Sequence, residues 1–517
     1  MHMIDQSYLD AAHLLRRAGF GAAPGVVRAA AAAGLDKTTA SLLDTGSDHL
    51  AAQDDVFITR LAALAPENAK ARLPVQAVKI WWIHRMIMAS NPLVEKMTLF
   101  WHGHFTSRLG GDGTDMLEQN KLFRFHALGN FRTLTLAMSR NPAMLQYLNG
   151  NQNYKAHPNE NYARELMELF TCGIGNYTED DVKAAAKAFT GWNLRAGEFA
   201  FNPRQHDDSA KTFMGKTGNW NGNDIVDMLV AHPATAARLC TQLFAFFCYP
   251  DPEPAVVAAL TKTYYDSGYD IKAIVNQILR SHAFYSEKAR FAVIKSPAQF
   301  VVGTIKMLGI EAAFDPQPDE ITVDADPDPA AGANGAVTPA PALQGGFARP
   351  KDFKSARNPK LARLAYLPVA MRSMGQDLLA PPSVKGWDGG EVWINSTTLM
   401  NRVAFGERLA QPRQMAAYLQ PAVARYAADR GIGEAQAWVD YLAEALGPLQ
   451  LSSATRDTLV AYAQGAPNGG TLNPGGAPRV LPAGDNPRGP IRAELQARAR
   501  YLGLLPLILG TPDYQVC

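Results

Sequence analysis

Apolar residues recur at three- and four-residue spacing over Pro24–Ala33, Val75–Ala89, Leu93–Phe105, Asp115–Ala127, Asn161–Thr171, Glu179–Phe189, Thr235–Phe247 and Pro297–Leu308. That period is the signature of helices with one buried face, and strand-like alternation is scarce. Pro24, Pro92 and Pro158 fall near first-turn positions, and Asp36 and Thr178 are expected N-caps. The pattern therefore predicts a mainly α fold: one large multi-helix domain with irregular loops and a Pro/Gly-rich insertion. The periodicity lapses between residues 314 and 350, where Pro, Gly, Ala and Asp dominate, and again over 465–490. Such stretches bury too little apolar surface to fold alone. The expected organisation is a helical core over 1–313, an exposed insertion over 314–350, and a C-terminal helical part over 351–517 packed on the same core. No internal repeat is detectable.

Composition narrows the function classes. The 517 residues are 47% hydrophobic and 19% charged, enough for a large core and incompatible with global disorder. A formal net charge of +2 disfavours nucleic acid or another polyanion recognised by charge alone, and leaves neutral sugars open. No apolar run reaches the roughly 18 residues of a transmembrane helix; Leu243–Tyr249 reads as a short core segment. The opening residues carry no signal-peptide pattern, so a periplasmic or secreted location is expected if Met1-His2 replaces a removed leader, and a cytoplasmic one otherwise. Four scattered cysteines make neither a disulfide framework nor a thiolate zinc site, and Cys240 and Cys248 read as small core residues.

Three clusters and one loop hold candidate chemistry. In Trp101-His102-Gly103-His104-Phe105, a continuous helix would put His104 on the apolar side and His102 in a polar lane with Glu95 and Thr98. Unwinding at Gly103 would instead point both imidazoles one way, as a two-nitrogen metal clamp that Glu165 could complete. Structural histidines, metal ligands and metal-free acid/base groups all remain open readings. In the stretch 157–170, Asn161, Glu165 and Glu168 form a polar stripe at i, i+4 and i+7. Glu165 and Glu168, one turn apart, suit an acid next to a base. The bland alternative is a solvated face in which Arg164 pairs with Glu160 and Glu168. Arg204–Lys211 supplies His206, Asp207 and Lys211 in a loop after Gly191-Trp192. Further on, Trp387 and Trp393 sit in a Gly-rich loop suited to stacking on a sugar ring. Dinucleotide, phosphate-loop, His-Glu-x-x-His and Gly-x-Ser-x-Gly motifs are absent, which disfavours nucleotide-dependent chemistry and the commonest serine or zinc hydrolase plans.

These residues carry a resemblance. The run His13-Leu14-Leu15-Arg16-Arg17-Ala18-Gly19-Phe20-Gly21, the Trp101–Phe105 and Asn159–Leu166 stretches, Thr190-Gly191-Trp192, His206-Asp207, Lys295-Ser296-Pro297 and Pro381–Trp387 resemble, in order, the bacterial family catalogued as domain of unknown function 1800. The resemblance implies a helical fold and a sulfatase-like companion protein, but no substrate. The insertion around 314–350 departs from the family pattern.

The leading expectation is an enzyme that cleaves a carbohydrate-like polymer, by hydrolysis or elimination. Its catalytic groups are expected among Glu165, Glu168, Asp207, His102 and His104, with Asn161, Arg164, Trp192, His206, Lys211, Trp387 and Trp393 contacting a glycan substrate. One alternative is a hydrolase with a divalent metal on His102, His104 and Glu165. The other is a non-catalytic partner of a sulfatase-like protein. The enzyme readings require the clusters to converge on one cleft.

Overall fold

A computed structural model describes residues 5–46, 48–64, 73–109, 112–321, 358–465 and 489–517. The described chain is mainly helical, with two antiparallel hairpins, Trp192–Arg195 with Glu198–Phe201 and Lys211–Phe213 with Lys216–Gly218. Helices occupy Pro24–Ala33, Val75–Met88, Pro92–His104, Thr114–Phe125, Glu179–Ala188, Pro233–Phe247 and Pro297–Leu308, within two residues of the periodicity at each end. Thr178 caps its helix reciprocally with Asp181, and Pro24 and Pro92 open theirs. Asp36 is not a cap; Gly34 precedes the helix Leu35–Leu43 and Asp36 lies in its first turn. Pro158 stands outside a helix, which starts only at Asn161. No described helix is long and apolar enough to cross a membrane.

Two large apolar clusters fill the interior. One joins Trp81, Trp82 and Ile83 to C-terminal residues such as Leu364, Leu442 and Leu505; the other gathers Leu14, Phe131, Leu166, Phe244 and Ile278. The helix Pro92–His104 serves both: Leu99 belongs to the first cluster, Leu93, Met97 and Trp101 to the second. The C-terminal tail closes onto the middle of the chain, with Cys517 and Val293 exchanging backbone hydrogen bonds and the Arg17 guanidinium donating to Cys517 Sγ at 2.7 Å. Cys240 and Cys248 are fully buried. The composition shift at 314 is not where packing stops, because Phe314 and Ile321 are still buried. Most of that insertion, and 466–488, lie outside the described residues.

Glu95 ties this framework together. It is 1% exposed and accepts from Arg124 Nε at 2.5 Å, Arg124 Nη2 at 2.9 Å, Arg85 Nε at 3.1 Å and Trp82 Nε1 at 3.2 Å. Arg85 reaches on to Asp54 and Asp48. Burial pushes the Glu95 carboxyl up, but Arg124 and Arg85 outweigh it and hold it below its ordinary value. A buried ion pair contributes little over an apolar substitute, yet removing one partner strands the other. Glu95→Ala is therefore expected to lower the free energy of unfolding by roughly 3–5 kcal/mol in denaturant titration. A loss below about 1 kcal/mol, the usual scale of an exposed pair, would contradict the role assigned to Glu95.

Candidate active site

The helix Pro92–His104 runs unbroken through Gly103, so the two histidines diverge and no extended clamp forms. His102 is fully buried, and its Nε2 accepts the Leu379 N–H at 3.1 Å. A neutral imidazole accepting there carries its proton on Nδ1, and that Nδ1 has no partner. The ring lies between Trp82 and Trp387, at centroid distances of 5.1 and 5.4 Å. His104 does a different job: its Nε2–H donates to the Phe170 carbonyl at 3.0 Å. Burial pushes His102 down to about 3, with help from Lys79, and His104 down to about 4. Both are neutral at pH 7.

Phe170 closes an unexpected element. The helix foreseen over 161–171 is α only for Asn161–Glu165, then widens to a π-helix over Leu166–Phe170. Gly173 N–H donates to the Met167 carbonyl and Thr171 Oγ1 to that of Leu166, which satisfies the widened turn. Glu165 and Glu168 remain electrostatic neighbours across the change of pitch. Asn161 Nδ2 donates to the Leu148 carbonyl. Glu165 is half-buried, and burial followed by repulsion from Glu168 raises its carboxyl. Glu168 lines a cleft of about 710 Å³ and accepts from the Tyr177 hydroxyl at 3.1 Å. Arg164 pairs with Glu160 as the bland reading had it, but its other partner is Glu179, not Glu168.

The opposite wall is the loop carrying Lys385, Trp387 and Asp388. It is anchored from below by the Leu379 N–H bond to His102, by a Lys79–Asp377 ion pair, and by close packing of Gly386. Gly386 has φ +82°, and a Cβ there would sit 3.0 Å from the Gly103 carbonyl oxygen. Arg238 and Gln242, one turn apart on Pro233–Phe247, complete the cleft beside His104.

Of the residues selected from sequence, His104, Glu168 and Trp387 meet in this cleft, with His102 beneath it. The others lie elsewhere. Trp192 is buried against Phe189 and Phe199, each at 5.1 Å, so it is a core residue and no stacking platform. His206 Nδ1–H donates to the Thr190 carbonyl at 2.8 Å. Asp207 caps its own turn by accepting from Ser209 N–H and Oγ. Lys211 Nζ spends its donors on the Asp207 and Ser209 carbonyls. Trp393 packs near Gly375 and Gly389, away from the cleft lining. The metal reading finds no fitting ligand set: His102 Nε2 and His104 Nε2 are both engaged, and no described group of three or more His, Cys, Asp or Glu is placed to hold an ion. Asp388, Arg238 and Gln242 were missed. Two long polar side chains at i, i+4 on the otherwise apolar helix Pro233–Phe247 were the available signal for the last two.

The model of the family described as protein of unknown function (DUF1800) matches residues 13–516. The chain belongs to that family. The match spans every DUF1800 stretch noted in the sequence and both walls of the cleft. No curated protein and no solved structure matches the chain.

The two depressed imidazoles make stability depend on pH with a definite sign. Each is neutral when folded, and an unfolded histidine protonates near pH 6.5. Their contribution is thus complete above about pH 6.5 and is lost as pH falls through the window down to about 4 for His104 and about 3 for His102. Denaturation between pH 7 and 5 is expected to lose about 1.4 kcal/mol per pH unit for each histidine at the steep part of the curve. His104→Gln should make the slope shallower; an unchanged slope would show that His104 is not held neutral.

Proposed function

We propose that the chain is an enzyme that cleaves a carbohydrate-like polymer in this cleft. The observation that carries the reading is that Glu168 and Asp388, from different elements, line one cleft together with Trp387. Two carboxylates flanking a bound chain are what glycosidic cleavage requires, one to give a proton to the leaving oxygen and one to act as base or nucleophile. Glu168 takes the second role, its orientation fixed by the Tyr177 hydroxyl. Asp388, on the loop across the cleft, supplies the other carboxylate of the pair. Trp387, seated on the buried His102 ring, offers an apolar face for a sugar ring to stack on. His104 and His102 are positioning residues: one ties down the π-turn that aims Glu168, the other the loop that carries Trp387. Neither needs to transfer a proton.

The test is turnover of a panel of polysaccharides by the purified chain. Glu168→Gln is expected to lower kcat roughly 10²–10⁴-fold on whichever polymer is cleaved, while Glu165→Gln keeps most of it. Full activity of Glu168→Gln would overturn the assignment. Absence of turnover on every polymer, with co-purification of a sulfatase-like protein, would favour the accessory role instead.

A further inference from the structure

Arg238 has unused donors in a place where a guanidinium is rarely left idle. Its Nη2–H donates to the Leu169 carbonyl at 3.2 Å, and its Nε is buried with no partner. Among the described residues no carboxylate pairs with it. Gly173 packs beside the group, a Cβ there lying 3.4 Å from Nη1, and the rest of the side chain lines the cleft. Across the cleft, Lys385 is exposed and forms no ion pair among the described residues. Unpaired buried donors are costly unless something fills them. A planar guanidinium on one side of the cleft and an exposed ammonium on the other match the oxygens of a carboxylate or sulfate.

We infer that the polymer taken by this cleft is anionic, carrying carboxylate or sulfate groups, and that Arg238 together with Lys385 reads one such group. The inference rests on the carbohydrate reading above and adds the charge of its substrate. Overall neutrality does not oppose it, because recognition is by two local cations and not by the net charge.

Binding to the full chain, measured by calorimetry, separates the possibilities. The probes are an oligogalacturonate, its neutral methyl ester, a dextran sulfate fragment and the matching dextran. Tighter binding of one charged probe than of its neutral counterpart is expected, and which pair responds distinguishes carboxylate from sulfate. Arg238→Gln should weaken the charged probe roughly 10- to 100-fold and leave the neutral one unchanged, and Arg238→Lys should restore part of the loss. Lys385→Gln, at an exposed position, should weaken the same probe several-fold. Equal binding of charged and neutral probes, or no effect of either glutamine variant, would overturn the inference while leaving glycosidic cleavage standing. Charged probes bound tightly but cleaved by neither the native chain nor any variant would do the reverse. No binding of any probe would overturn both.

Discussion

Glu95 sits where water does not reach, and its charge persists only because Arg85, Arg124 and the Trp82 indole surround it. This one carboxylate fixes three helices, Val75–Met88, Pro92–His104 and Thr114–Phe125, in a single mutual arrangement. Geometry of that kind is hard to satisfy in more than one way, since a shifted helix would leave a buried charge unpaired. The helix it locks is also the wall between the two apolar clusters and ends at the cleft. The position of His102 and His104 is thus inherited from an ion cluster two to three turns away.

From that end the site is assembled by hydrogen bonds to backbone. His104 holds the last carbonyl of the π-turn, and His102 holds the N–H of Leu379, a residue whose φ of +59° is unusual for a side chain of that size. Strain at such a position persists only where the surroundings fix it, and here a buried imidazole and the Lys79–Asp377 pair do so. The π-turn aims Glu168, the loop carries Trp387 and Asp388, and both depend on the same pair of neutral rings. This explains why two histidines two residues apart perform parallel structural work on opposite walls and still belong to one site.

The helical framework was legible in the sequence because burying one face imposes a period. Thr178 as an N-cap, and Pro92 at a helix start, were readable for the same local reason. The site was only partly legible. His104, Glu168 and Trp387 were found by residue type, but the π-turn adds no mark to the pattern, and of the Glu165/Glu168 pair only Glu168 lines the cleft. His206, Asp207 and Lys211 looked like chemistry because polar residues in a loop satisfy their own backbone with the same groups that catalysis uses. Trp192 looked like a platform and is core, since an aromatic carries no sequence sign of which side it faces. Arg238 was hidden by helical periodicity: with Gln242 at i+4 it reads as the solvated edge of an apolar helix.

The central claim is that ligand binds between the π-turn and the Trp387 loop, not at the hairpins. Amide hydrogen exchange of the full chain, with and without the oligogalacturonate and dextran sulfate fragments, tests it most directly. Slowed exchange is expected over residues 168–176, 234–242 and 383–388, with 192–218 unchanged. Protection centred on 192–218, or none at the cleft, would contradict it.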